Sequence, residues 1–231
     1  MSKASALVEE ATFFSTNILA TIAFNAAERS LANRDDNLVA ALFSATWVEA
    51  SVNELVHKLT ATDEKHLDTQ LIEAKRTVTA VNLFDRRSAS LRTKLNVLCA
   101  TTAHRQIDWG TEPWQRLALL IQLRNWLVHL RPERMKVRPG VEGEPSSLVS
   151  QQVHELVRSL KNSGAIKEIP RGHLVPVAVA ASLPGVGAWS YRVAYDTLAA
   201  VVTWHPPWKT RILAFAKQPI ETPSGRDSSS S

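Results

Sequence analysis

Polar side chains recur at helical spacing in an otherwise apolar stretch: Gln115, Gln122, Asn125 and His129. With His129 at zero on a wheel of about 100° per residue, Asn125 falls at about −40°, Gln122 at about +20° and Gln115 at about +40°. Ala118, at about −20°, is the only interruption of a strip about 80° wide. Polar groups on an oily helix must find partners or line a cleft. The strip ends in a histidine, which takes or gives a proton near neutral pH.

Arg124 lies about 140° away from His129 on the same wheel. Either its side chain swings round near the helix end, or it serves the strip through a partner. Glu49 is the candidate partner, because it occupies a position in the apolar row Leu42, Ala45, Glu49, Val52, Val56. An inward-facing carboxylate needs a cation or a donor. Asn53, one turn on, would join that network. The chain holds 17 Arg and 7 His, so one fixed Arg–His spacing arises by chance about 0.5 times. The weight rests on context: Asn125 beside the arginine, apolar filler, and the Pro132 stop. The structural alternatives are a satisfied histidine near a helix C-terminus, a buried Arg124–Glu49 ion pair, and glutamines that fill a subunit seam.

The elements that position these residues read as helices. Before Pro132 only Gly110 and Pro113 break the chain, so helices are expected over 4–32, 37–60, 64–84, 88–104 and 112–130. Asp35 or Asp36 caps the second, and Pro113 sits in the first turn of the fifth. Residues 132–145 read as loop, and Ser146 or Ser147 caps a short helix ending at Gly164. Residues 165–187 read as loop or a short strand pair. A last helix covers 188–204, with a short extension over 208–217 and a frayed tail over 219–231. The expected architecture is all-α: one helical domain over 1–218, a bundle with a loop-rich insertion at 132–187 before its final helix.

Composition narrows the function classes. The 231 residues are 45% hydrophobic and carry a net charge of +5, which excludes a wholly disordered, collagen-like or coiled-coil chain. The single cysteine, Cys99, excludes an intramolecular disulfide framework and a zinc-finger cage. No histidines pair at i,i+4, so neither a metal nor any other cofactor is expected. P-loop, dinucleotide-binding and serine-hydrolase signatures are absent. No run is long and apolar enough for a membrane span or a secretory signal, so a cytoplasmic protein without membrane association is expected.

Charge is unevenly spread. Residues 1–85 carry a net −5, residues 86–138 a net +8 and residues 139–231 a net +2. The basic block holds Arg86, Arg87, Arg92, Lys94, Arg105, Arg116, Arg131, Arg134, Lys136 and Arg138. It suits a polyanion, or is a solvated face balanced by the acidic first third.

The string Arg124-Asn125-Trp126-Leu127-Val128-His129 resembles the R-x4-6-H motif of the HEPN superfamily, in which a polar residue commonly follows the arginine. The segment from Phe43 to Leu55, with Glu49 and Asn53 embedded, is similar to an early helix of many such proteins. The similarity covers the helices of 1–135 and the final helix; the 132–187 insertion and the tail match nothing in it. The resemblance implies a HEPN-type bundle. It further implies a metal-independent endoribonuclease of toxin or anti-phage type, working as a homodimer whose two motifs face one cleft. Arg124, Asn125 and His129 would be catalytic, with Glu49, Asn53 and Gln122 in support. Arg86, Arg87, Arg92, Arg131, Arg134 and Lys136 would hold RNA. An antitoxin or defence-system partner protein would restrain or trigger it. Other members of the superfamily are inactive and bind nucleic acid or nucleotides without cutting, which is the rival expectation. A second rival is a helical interaction protein whose polar strip is only a dimer seam.

The remaining candidates are weaker. His57 with Glu54, His104–Arg105 and His154–Glu155 read as solvated faces. Trp204 and the His205-Pro206-Pro207-Trp208 corner suit base stacking, but tryptophans in a helical protein usually fill core and interfaces. Cys99 reads as core.

Overall fold

The computed structural model describes residues 3–81, 89–129, 135–138, 147–167, 180–204, 208, 212–214 and 216–219. Helices dominate them: α1 (Lys3–Arg29), α2 (Asp35–Ala61), α3 (Thr69–Ala80), α4 (Leu91–Thr102), α5 (Trp114–His129), α6 (Gln151–Asn162) and α7 (Val186–Val202). The class is all-α, with one short strand pair added. No helix among the described residues is long and apolar enough to cross a membrane. The extension expected over 208–217 and the tail over 219–231 lie for the most part outside the described residues.

Local chemistry explains the boundaries. The expected helix over 64–84 is a 3-10 turn at Glu64–His66 followed by α3. Asp68 causes the break, because its carboxylate accepts from Leu71 N at 2.8 Å and caps a new start. Ser90 caps α4 in the same way through Thr93 N. At the end of α6, Gly164 adopts φ +76° while Ala165 N returns to Leu160 O at 2.8 Å, a left-handed stop that glycine adopts at no steric cost.

The insertion departs from expectation. Residues 135–138, read as loop, form β1 (Met135–Arg138), which pairs antiparallel with β2 (Ser147–Ser150). Met135 faces Ser150 and Arg138 faces Ser147. Ser147 therefore opens a strand instead of capping a helix, and α6 waits until Gln151. Alternating Met-Lys-Val-Arg, set against Ser-Leu-Val-Ser with its central Leu148 and Val149, suits a paired ladder better than a helix start. The strand pair considered for 165–187 is not found among its described residues, where 180 and 181 are helical and α7 begins at Val186.

The chain gathers into two compact units. The first comprises Met1–Thr21, Thr46–Leu117 and Ala194–Ala216. Its core includes Trp47, Val52, Leu55, Val78, Leu95 and Leu98, all buried, with α3 packed on α4. Trp204 stacks on Trp114 with centroids 5.6 Å apart, and Trp109 meets Trp114 edge-on at 6.1 Å.

The second unit comprises Ile22–Ala45, Ala118–Val193 and Lys217–Ser231. Phe24 and Tyr191 meet edge-to-face at 5.3 Å, and Tyr191 donates its hydroxyl to Lys217 O at 2.8 Å. Small residues let backbones approach: a Cβ at Gly187 would lie 2.5 Å from Ser30 Oγ. Gly187 N donates to Asn37 Oδ1 at 2.7 Å, while the fully buried Asn37 amide donates to Arg34 O at 3.2 Å. One asparagine thus ties the α1–α2 turn to the start of α7. Beside it Arg29 clamps Asp36 at 2.9 Å and Asn33 donates to the same carboxylate at 3.1 Å. These contacts hold the Asp36 carboxyl below its ordinary value, the hydrogen bond from Arg29 above all.

Candidate active site on helix α5

Helix α5 has no glycine or proline, and its Leu, Gln and Arg content favours helix throughout. Leu117, Leu120 and Leu123 are fully buried along one side. The other side is open: Gln122, Asn125, Val128 and His129 are exposed, with Ile121 and Trp126 half-buried. The helix is therefore not buried all round. The apolar residues overstated its burial, since Val128 is 50% exposed.

The polar strip lines a groove of about 440 Å³, walled by Ala118, Ile121, Gln122, Asn125, Trp126 and His129. Four of these six are the residues that the wheel places together, and Ile121 and Trp126 flank them as apolar walls. Arg124 is half-buried on the far flank and reaches the strip through its neighbour: Nη1 donates to Asn125 Oδ1 at 3.0 Å. With Oδ1 so engaged, the Asn125 Nδ2 group remains a donor. His129 is the last residue of α5, so its ring stands at the open end of the strip. The described groove walls hold no carboxylate, so none of them opposes an anion.

Of the three expected supporting residues, Gln122 lines the groove, and Glu49 and Asn53 lie on α2. Glu49 is half-buried on α2. Asn53, also half-buried, accepts from Lys94 Nζ at 2.8 Å. Lys94, counted in the basic block, is only 4% exposed; a buried ammonium held by an amide oxygen is no part of a surface track. Glu54, read as a solvated neighbour of His57, is buried too. Thr16 donates to it at 3.0 Å and Lys58 pairs with it at 2.8 Å, while His57 is exposed. Nothing in the local pattern marks Glu54 as buried, because one partner comes from a different helix and the other from the next turn.

Of the expected RNA-binding residues, Arg86, Arg87, Arg131 and Arg134 lie outside the described residues, and Lys136 sits on β1. Arg92 is exposed in the first turn of α4, its guanidinium 4.5 Å from the Trp109 ring centroid. His104, Arg105, His154 and Glu155 are exposed as expected. Trp204 is buried against Trp114, which favours the core reading over base stacking. Cys99 is buried, and burial pushes its thiol pKa up, with Arg105 partly opposing. Among the described residues no three His, Cys, Asp or Glu side chains gather as a metal cluster.

No family model, curated protein or solved structure matches this chain. Function is therefore read from the groove itself.

Proposed function

We propose that the chain is a metal-independent endoribonuclease of toxin or anti-phage defence type, with HEPN-like chemistry at the α5 groove. The observation that carries the proposal is the convergence of His129, Asn125 and Gln122 on one open groove, with Arg124 hydrogen-bonded to Asn125. RNA cleavage without a metal needs a base for the ribose 2′-OH and an acid for the 5′-oxygen. Histidine performs either role near neutral pH. The 2′-oxygen attacks phosphorus, the P–O5′ bond breaks, and a 2′,3′-cyclic phosphate and a 5′-hydroxyl result. Arg124 supplies fixed positive charge against the phosphorane, and the Asn125 Nδ2 donor holds a phosphate oxygen. Among the described residues, one groove holds one histidine. A homodimer pairing two grooves provides both a base and an acid.

The test is cleavage of single-stranded RNA by purified protein in excess chelator. His129→Ala and Arg124→Ala should each lower the rate about 100-fold or more, with melting unchanged because both side chains lie outside the buried core. Full activity in both variants would overturn the assignment. RNA binding without products, even in enzyme excess, would favour a sensing module of the same fold.

A further inference from the structure

The proposed chemistry uses His129, Asn125 and Arg124 and makes no use of two walls of the groove, Trp126 and Gln122. Both are set on the same face. On a wheel of about 100° per residue, Trp126 and Gln122 fall about 40° apart, one turn from each other, with His129 on the next turn. Trp126 is half-buried, which anchors the indole, and Gln122 is exposed with no hydrogen-bond partner among the described residues. An anchored indole beside an unengaged amide is what a nucleobase needs: a surface to stack on, and a donor and an acceptor for its edge.

We propose that Trp126 and Gln122 form a nucleobase subsite selective for adenine, which sets the base beside the phosphate held at Asn125 and His129. This rests on the reading of the α5 groove as an RNA site. The choice of adenine follows from the lining. A glutamine amide donates to one ring nitrogen of adenine and accepts from its N6 amino group, a bidentate pair. A carboxylate, which would favour guanine by accepting from its N1–H and N2–H together, is absent from the described groove residues. Pyrimidines offer the amide a donor and acceptor as well, but have a smaller face for the indole. The groove, about 440 Å³, has the size of a small-ligand site and admits one base with its neighbouring phosphate.

The experiment measures binding and cutting separately on the full-length chain. Calorimetry with adenosine, guanosine, cytidine and uridine 3′-monophosphates should show adenosine bound about tenfold tighter than the others. Trp126→Leu should weaken adenosine 3′-monophosphate about tenfold. Gln122→Glu replaces the amide donor with a second acceptor and should reverse the preference toward guanosine. Because Gln122 is exposed, that variant tests the subsite even if Trp126→Leu fails to fold. Cleavage of mixed-sequence RNA supplies the independent arm, with cuts expected next to adenines. Equal affinity for all four nucleotides, or a base preference unmoved by Gln122→Glu, would overturn the subsite whether or not RNA is cut. Adenine-selective binding without cleavage would sustain the subsite and sink the nuclease reading. Tight binding of the free mononucleotide with none of oligoadenylate would overturn the placement on an RNA strand and mark a mononucleotide sensor.

Discussion

At the scale of single residues, the Arg124–Asn125 hydrogen bond decides what the strip presents to a ligand. An asparagine amide can point either way, and a guanidinium on its oxygen leaves the nitrogen as donor. Asn125→Asp replaces that donor with a second anionic oxygen. Its expected effect is a drop in RNA affinity of about tenfold with an unaltered melting temperature, read by filter binding; unchanged affinity would remove Asn125 from the site. Asp36 is a second residue whose partner sets its state. Its carboxyl is held below the ordinary aspartate value by Arg29, so the stabilisation is complete above the unfolded value and disappears as pH falls through the folded one. Asp36→Asn should therefore melt lower than the parent at pH 7, and the gap should close below about pH 4. A gap that persists at about pH 2 in circular dichroism melts would show that the ion pair is not its source.

At the scale of elements, close approaches and helix ends are the most sensitive points. Gly187→Ala would drive a methyl to within 2.5 Å of Ser30 Oγ and 3.1 Å of Asn37 Oδ1. The expected cost is about 1–3 kcal/mol, measured by urea unfolding. His104 stands just past the C-cap of α4 with φ +50°, a conformation that costs a non-glycine residue about 1 kcal/mol. His104→Gly should accordingly stabilise the fold, by about 1 kcal/mol or less, and a destabilised variant would contradict this. The α5 strip is legible in the sequence because it depends only on the 3.6-residue period, which holds in any environment. Its exposure is not legible, because Ile121, Trp126 and Val128 satisfy the same apolar pattern as Leu117, Leu120 and Leu123. Which flank is covered depends on neighbours far away in the chain. The burial of Lys94 and Glu54 is hidden for that reason too, since Asn53 and Thr16 meet them across 41 and 38 residues. The β1–β2 pairing is masked by its short strands, whose loop-like surroundings of Pro, Gly and charge outweigh four alternating residues.

At the scale of the whole molecule, charge and groove share one stretch of sequence: residues 86–138 carry a net +8 and contain α5. Lys94 is withdrawn into the core, whereas Arg92 remains exposed. If Arg92 meets the strand, Arg92→Glu should weaken RNA binding and lower the salt dependence by about 0.7 for each phosphate no longer neutralised. A slope unchanged across a salt titration would leave Arg92 to its Trp109 stack alone. Central to the nuclease reading is that His129 moves a proton during RNA cleavage. The most direct measurement compares the parent chain with His129→Ala on one RNA in excess chelator, and identifies the chemistry of the product ends. The parent should give 2′,3′-cyclic phosphate and 5′-hydroxyl ends, and an equally folded His129→Ala should give no products above background. Cleavage by His129→Ala at the parent rate, or 3′-hydroxyl ends from the parent, would contradict that role.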